Sequence, residues 1–172
     1  MKTVSLLLPL VLAACGSTRP FRDATGAESS SEDPERARIA AALDGFHRAA
    51  SEADERRYFD LLTEEGVFLG TDATERWTKE EFRAYAEPHF ALGRGWTYRA
   101  IERHVHVGPD GRTAWFDEKL WNDKYGDCRG TGVLLLVGGE WKIAQYNLTF
   151  PVPNEIAGEV VERIKSHTGA AR

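Results

Sequence analysis

The chain has few cysteines, lacks a long hydrophobic run and carries no excess of positive charge. Its 172 residues include two cysteines, too few for a paired-cysteine metal site or a disulfide framework. The longest apolar run, Val4 to Ala14, is too short to cross a bilayer as a mature helix. With 22 basic and 27 acidic residues the net charge is -5, so we expect no nucleic-acid partner.

The N-terminus has the layout of a signal peptide. Lys2 supplies a positive charge, an apolar run follows, and two alanines precede Cys15. Because a cysteine stands at the cleavage point, the segment resembles a bacterial lipoprotein signal, which is cut before that cysteine. The resemblance implies a signal peptide over residues 1–14 and lipidation of Cys15, for example by palmitate. It also implies an extracytoplasmic domain that is lipid-anchored to a membrane of the bacterial cell envelope. The alternative is an ordinary signal peptide and a released protein.

If Cys15 carries lipid, Cys128 has no disulfide partner, and the stability of the domain must come from packing. Residues 15–33 contain glycine, proline and serine with almost no apolar period, which predicts a flexible tether. Residues 34–168 then form one domain.

Helix signals occupy the first half of this domain. Asp33 precedes Pro34 as a helix cap, and Thr78 with Glu81 forms a capping box for a later helix. Pro88 is expected to kink or end that later helix, because proline removes a hydrogen bond from the helix interior.

The second half predicts a four-stranded antiparallel meander. Its strands are expected over residues 96–107, 113–122, 129–137 and 141–150, separated by turns rich in glycine. Before it, residues 66–70 predict a short strand, and after it Asn154 is expected to cap a last amphipathic helix. Helices followed by such a meander favour an α+β domain, with helices on one face of a curved sheet.

Four strings in this order resemble the SnoaL-like branch of the nuclear transport factor 2-like superfamily. They are Gly70-Thr71-Asp72 with Glu75-Arg76-Trp77, Ala114-Trp115-Phe116-Asp117-Glu118, Arg129-Gly130-Thr131-Gly132-Val133, and Trp141-Lys142-Ile143-Ala144-Gln145-Tyr146-Asn147. The resemblance covers about residues 35–150. It implies a cone: N-terminal helices packed on a strongly curved antiparallel sheet, a C-terminal helix, and a pocket at the open end. Members include isomerases, dehydratases, cyclases and proteins without known catalysis. The enzymes among them use no metal or organic cofactor, so no cofactor is expected here.

Glu118 is the first candidate for a catalytic base. It is the one charged residue on a strand face that it shares with Phe116 and Leu120, so we expect it to point into the cone. A carboxylate among apolar walls can act as a general base. The alternative is a structural ion pair with Arg129, on the neighbouring strand.

Asp72 and His89 are the other candidate catalytic residues. Asp72 follows the first strand in a loop, where it is either a base at the mouth of the cone or the cap of a turn. His89 becomes a base if Pro88 tips it towards the pocket.

Six further side chains are candidate ligand contacts: Trp77, Tyr85, Trp96, Arg129, Gln145 and Asn147. The two tryptophans form either a pocket floor or part of the core. Gln145 and Asn147 share one face of the last strand and orient a ligand if that face lines the cone. The alternative is that they satisfy backbone groups at a strand edge or a helix end. Simple alternation places Tyr146 on the opposite face of this strand. Tyr146 would serve as a hydrogen-bond donor to a ligand only if that opposite face lined the cone. The pattern leaves this choice open.

His104 and His106 share a strand face at a spacing that some metal sites use, but no third ligand accompanies them, so we expect no metal.

Taken together, the N-terminal segment, the resemblance and the candidate site residues favour a membrane-anchored domain that binds a small, partly apolar molecule in its cone. One alternative is a cofactor-free acid-base isomerase, dehydratase or cyclase. A further alternative is a non-catalytic interaction module, with a homodimer through the sheet as one form.

Overall fold

The computed structural model describes residues 33–169, so the predicted signal peptide, most of the tether and Cys15 lie outside the described residues. The helices of the described part are α1 (Pro34–Ser51), α2 (Glu55–Asp60), α3 (Lys79–Phe90) and α4 (Ala157–Thr168). The strands are β1 (Leu62–Leu69), β2 (Arg76–Thr78), β3 (Arg99–Val107), β4 (Thr113–Asn122), β5 (Gly126–Val137) and β6 (Glu140–Thr149). Over residues 33–169, none of the helices combines the length and apolar character that spanning a membrane requires.

Two predicted helix starts are confirmed. The Asp33 carboxylate accepts a hydrogen bond from the Glu35 amide, at the start of α1. The capping box of Thr78 and Glu81 opens α3 with both of its reciprocal hydrogen bonds.

One alternative for Pro88 and the predicted cap at Asn154 are wrong. Pro88 does not end α3, which continues to Phe90, because the proline lies in the last turn and interrupts little of the hydrogen-bond ladder. The expected kink stays a prediction. Asn154 does not cap the last helix. It begins a 3-10 turn over Asn154–Ile156, and α4 follows from Ala157 without a side-chain cap.

The strands form one sheet in the order β2-β1-β6-β5-β4-β3. The predicted antiparallel meander is confirmed as β3 to β6. The predicted short strand is longer than expected, begins at Leu62, and adds to the meander in parallel to β6. Since β2 pairs with its other edge, the sheet has six strands, and the α+β class is confirmed.

Aromatic side chains fill the space between the sheet and helices α1 to α3. Phe68 and Phe82 stack with ring centroids 4.0 Å apart, and Phe46 stacks on Tyr58 at 4.2 Å. Other rings in this cluster belong to Phe59, Phe90, Phe116 and Tyr146, all of them buried. Burial of such large rings is a major source of stability. The centre of the cone is therefore occupied by its own side chains.

A bulge in β6 changes which of its residues face the core. Val133 pairs with Gln145 and Leu134 pairs with Ile143, so Ala144 is an extra residue without a partner on β5. One extra residue reverses the alternation of side chains beyond it. Ile143 and Tyr146 consequently both face inward, although their numbers differ in parity.

Candidate functional site

Glu118 lies at the centre of a buried polar cluster. It is on the inner face of β4, and none of its surface is exposed. Its Oε1 accepts hydrogen bonds from His47 Nε2 at 2.7 Å and from the Tyr146 hydroxyl at 2.9 Å. Its Oε2 accepts one from Arg103 Nε at 2.8 Å. The inward orientation that alternation predicts is thus what the structure shows.

Four elements contribute to this cluster. Helix α1 provides His47 and β3 provides Arg103, which is the register partner of Glu118. Arg103 Nη1 also bonds the Ala40 carbonyl at 3.1 Å and Asp44 Oδ1 at 2.8 Å, so the same guanidinium ties α1 to the sheet. Tyr146 reaches in from β6 because the bulge turns its side chain inward.

Gly130 leaves the space through which Tyr146 meets Glu118. It lies on β5, between the strands that carry these two residues, and is the register partner of Glu118. A Cβ atom at this position would collide with the Tyr146 hydroxyl and lie 2.8 Å from Glu118 Oε1. The absence of a side chain is therefore required for the hydrogen bond between them.

The charges of the cluster stabilise each other. Burial acts to raise the pKa of Glu118, but the hydrogen bonds and charges of His47 and Arg103 outweigh it and lower that pKa below the usual 4.5. Burial, followed by the neighbouring Glu118 charge, raises the pKa of Tyr146 well above 10. Glu118 is therefore ionised and Tyr146 protonated at neutral pH.

A carboxylate that accepts three hydrogen bonds acts as a positioning group rather than as a free base. The member of the cluster best placed to exchange a proton is His47, whose side chain is 12% exposed. One ring nitrogen is held by Glu118, while Nδ1 has no hydrogen bond within residues 33–169. A histidine oriented through one nitrogen and free at the other is typical of general acid–base sites.

The predicted pairing of Glu118 with Arg129 is wrong. Arg129 pairs in register with Lys119 and is exposed on the outer face of the sheet, whereas Gly130 lies opposite Glu118. The residue that neutralises Glu118 comes from β3, on the other side of β4. Gln145 is exposed and Asn147 half-buried, also away from the inner face, because the bulge assigns that face to Tyr146.

The other predicted catalytic residues lie apart from this cluster. Asp72 is exposed and accepts hydrogen bonds from the Thr74 amide at 2.8 Å and hydroxyl at 2.6 Å, which is the turn-capping alternative. These bonds lower the pKa of Asp72. His89 is exposed on α3, with its ring 5.5 Å from that of Tyr85.

Of the predicted aromatic contacts, Trp77 is half-buried and stacks on Phe82 and Tyr85, at 5.4 Å and 5.0 Å. Tyr85 itself is half exposed. Trp96, also half-buried, packs against Tyr58 and Phe90. The structure therefore brings Glu118 together with Tyr146, which the sequence left as an open choice, and with His47 and Arg103, which were not predicted. It does not bring Glu118 together with the other predicted catalytic and ligand-binding residues.

Sequence reasoning missed His47, Arg103 and Asp44 as members of the cluster. A signal for His47 was present, because it follows the buried Leu43 by four residues and precedes the buried Ala50 by three, which places it on the apolar stripe of α1. No comparable signal marks Arg103, since β3 is an edge strand whose other residues are mostly exposed.

Two grooves on the described residues lie outside the cluster. One, of about 430 Å³, is lined by residues of α1, α2 and β6, among them Arg38, Leu61 and Trp141. The other, of about 870 Å³, lies between β1, β2 and α3 and includes Glu64, Lys79 and Arg83. Neither is lined by His47 or Glu118.

Within residues 33–169 no group of three or more histidine, cysteine or acidic side chains is arranged to hold a metal ion. His104 lies 3.1 Å from a Glu102 carboxylate oxygen, and the His106 ring stacks on Trp115 at 5.6 Å.

Known structures share this fold. An NTF2-like protein of unknown function from Pseudomonas putida matches with a TM-score of 0.57 and 15% identity, over 69% of this chain and 88% of its own. A ketosteroid isomerase-like protein from Erwinia carotovora matches with a TM-score of 0.53 and 21% identity, over 70% of this chain and 99% of its own. A function-unknown protein from Mycobacterium tuberculosis matches with a TM-score of 0.60 and 19% identity, over 73% of this chain and 76% of its own.

Because these identities are low, the similarity shows a shared fold and nothing about function. The sequence matches no curated protein. The model of the SnoaL-like domain family matches residues 39–153, which include every member of the Glu118 cluster. This chain belongs to the SnoaL-like domain family.

Proposed function

We propose that this chain is an envelope-anchored domain that binds a small, partly apolar molecule at the end of the cone where His47 reaches the surface. The observation that carries the proposal is the completely buried Glu118 carboxylate, held by His47, Tyr146 and Arg103. The lipoprotein-like signal that ends at Cys15 supports the location.

Stability alone is a weak reason for such a cluster. Taking a carboxylate and a guanidinium out of water costs several kcal/mol for each ion, and well-packed apolar residues in their place are often neutral or stabilising. Perturbed, buried ionisable groups concentrate at binding and catalytic sites. The desolvation cost of burying Glu118 and Arg103 is therefore better explained by a binding or catalytic site than by a need for packing.

The surroundings of the cluster favour a partly apolar ligand. The rings of Phe46 and Phe116 lie beside it, with centroids 5.1 Å and 5.8 Å from the Tyr146 ring. Asp44 and Glu118 place two carboxylates against the single guanidinium of Arg103, which disfavours an anionic ligand. A neutral molecule with an apolar body and one or two polar atoms suits these walls.

Native mass spectrometry of the full chain taken from its own membrane tests this proposal. We expect a co-purifying small molecule that is lost in His47→Phe and retained in His104→Phe. His104 is the matched control because it is exposed on the sheet, away from the cluster. Retention of the molecule in both variants would place the binding site elsewhere.

The His47–Glu118 pair also supports acid–base chemistry on the bound molecule, with His47 as the group that moves the proton. In such a reaction His47 Nδ1 takes a proton from a carbon next to a carbonyl, and a solvent proton returns to that carbon. The molecule identified by mass spectrometry should then take up deuterium when incubated in D₂O with the protein, and not with His47→Phe. Binding without such uptake would indicate a non-catalytic domain.

A second candidate function is self-association through the outer face of the sheet. Trp115 and Leu135 are 47% and 37% exposed there, on neighbouring strands. Two exposed apolar residues of this size favour a protein contact. Light scattering should show a dimer that Trp115→Glu converts to a monomer, while Tyr85→Glu, on α3, leaves it unchanged. A monomer before any substitution would exclude this candidate.

A further inference from the structure

Helix α4 has an apolar face that its own chain leaves uncovered. Val160, Val161 and Ile164 lie on one side of the helix, at the spacing of an amphipathic helix. None of the 12 residues of α4 is buried, and Ile164 is 55% exposed. The element that α4 mainly packs against is the short 3-10 turn directly before it. A helix of this length is stabilised mainly by packing of its apolar face, so we expect this face to have a partner.

The outer face of the sheet carries an apolar surface that one helix can cover. It consists of Trp115 on β4 and of Val133, Leu135 and Val137 on β5, and we call it the outer patch. Val133 is the register partner of Trp115, and Leu135 and Val137 follow on the same face of β5. Trp115, Leu135 and Val137 are all exposed. The outer patch extends about 14 Å along the strand, and α4 is about 18 Å long.

The α4 helix of the same chain leaves from the other end of the sheet. Thr149, the last residue of β6, pairs with Arg129 of β5. Leu135 lies about 20 Å further along that strand. The connection over residues 151–153 contains two prolines and no turn, and Pro153 is extended, with φ at -58° and ψ at 137°. Because prolines stiffen an extended linker, this connection carries α4 away from the sheet and not back over it.

We propose that two copies of this chain exchange their C-terminal helices, so that α4 of each copy covers the outer patch of the other. The inference rests on the second candidate function, self-association through the sheet, and names the element that makes the contact. A two-fold axis across the strands places the α4 end of one sheet over the outer patch of the other, for both copies at once. The helix–patch contact then forms twice, which doubles the buried area towards the minimum of about 1,200 Å² for a stable interface.

The middle of the outer face disfavours direct packing of sheet on sheet. Lys119, Asp127 and Arg129 are exposed there, and Lys119 Nζ lies 3.6 Å from Asp127 Oδ1. Burying such charges costs free energy unless each of them is fully paired. A helix that covers only the outer patch leaves these three side chains in water.

A substitution on the apolar face of α4 tests whether this helix makes the contact. Ile164→Lys should raise the dissociation constant of the dimer at least tenfold, as measured by sedimentation of the full chain in detergent. Ser166→Lys is the matched control, because Ser166 lies on the opposite side of the same helix, and it should leave the constant within about twofold. Both lysines lie near the C-terminus of α4, where a positive charge is favourable, so neither should unfold the helix.

Disulfide cross-linking between two variants identifies which surfaces meet. Ile164→Cys and Leu135→Cys are purified separately under reducing conditions, the second labelled with heavy nitrogen, and are then mixed and oxidised. Each chain carries one new thiol, so a link between the two variants has to join different copies. We expect the mixed disulfide to predominate, as identified by its mass. The native chain, which has only Cys15 and Cys128, is the control.

The outcomes separate helix exchange from self-association through the sheet. Absence of the mixed disulfide contradicts the exchange, and a link between two copies of Leu135→Cys would indicate direct packing of the sheets instead. A dimer that Trp115→Glu dissociates and Ile164→Lys does not also contradicts the exchange, but leaves the second candidate function in place. A native chain that is monomeric contradicts both.

Discussion

At the residue scale, the site depends on Glu118, the one carboxylate that the chain buries completely within residues 33–169. Its position was predictable, because Ala114, Phe116, Glu118 and Leu120 share one face of a strand. Arg103 is 15 residues away and meets Glu118 through the register of the β3–β4 hairpin. His47 is 71 residues away, and only the packing of α1 on the sheet brings it to Glu118, so no local pattern predicts that contact.

Glu118→Gln should lower the free energy of unfolding by about 3 kcal/mol, because it leaves the Arg103 guanidinium buried beside a neutral amide. Urea unfolding measures this loss. Asp117→Asn, one residue earlier and exposed on the outer face, should change the free energy by less than about 0.5 kcal/mol. Similar losses in the two variants would mean that the buried network does not stabilise the fold. Should Glu118→Gln fail to fold, Tyr146→Phe removes one hydrogen bond to the same carboxylate and should cost about 2 kcal/mol.

The stability that Glu118 supplies should depend on pH in a defined direction. Because the pKa of Glu118 is lower in the folded protein than its usual 4.5, its contribution is complete above pH 4.5 and is lost as the pH falls through the folded value. The difference in unfolding free energy between the native chain and Glu118→Gln should therefore be constant near neutral pH and shrink in acid. A difference that grows as the pH falls would contradict the lowered pKa.

At the element scale, the sequence carries the helix caps and the meander but not the bulges. Asp33 and Thr78 mark their helices because capping is a local interaction between residues two or three apart. The bulge at Ala144 depends on the register between β5 and β6, which no local pattern records. Strict alternation consequently placed Gln145 and Asn147 on the same face as the inward-facing Ile143, which is wrong. It could not decide whether Tyr146 faces the interior.

Two glycines should respond in opposite directions to the same substitution. At Gly132 of β5 an added Cβ would collide with the Gln145 carbonyl and the Phe116 ring, so Gly132→Ala should unfold the protein or lower its stability by more than about 2 kcal/mol. At Gly158 of α4 there is open space, so Gly158→Ala should raise helix stability by about 0.5–1 kcal/mol. Thermal unfolding of both variants checks this pair. Equal tolerance at the two positions would show that the close packing of β5 on β6 is not required.

At the scale of the whole molecule, the fold and the proposed location rest on separate segments. The family model matches residues 39–153, and all members of the Glu118 cluster lie within that range. The proposed anchor, by contrast, depends on Cys15 and the residues before it. A single substitution at the anchor should therefore move the protein in the cell without altering its site.

Cys15→Ser should transfer the protein from the membrane fraction to the soluble fraction of the envelope and abolish the incorporation of labelled palmitate. Two or more acyl chains, each contributing about 0.8 kcal/mol per buried methylene, hold a protein stably on a bilayer, and serine has no sulfur to form the thioether that begins this modification. Cys128→Ser is the matched control. Cys128 is buried within β5, so its substitution costs stability but should leave the protein on the membrane. If Cys15→Ser stays with the membrane and still takes up palmitate, the anchor lies at another residue. If the variant stays with the membrane but takes up no palmitate, the domain is held by contact with a membrane protein or the lipid surface and not by an acyl chain attached to it.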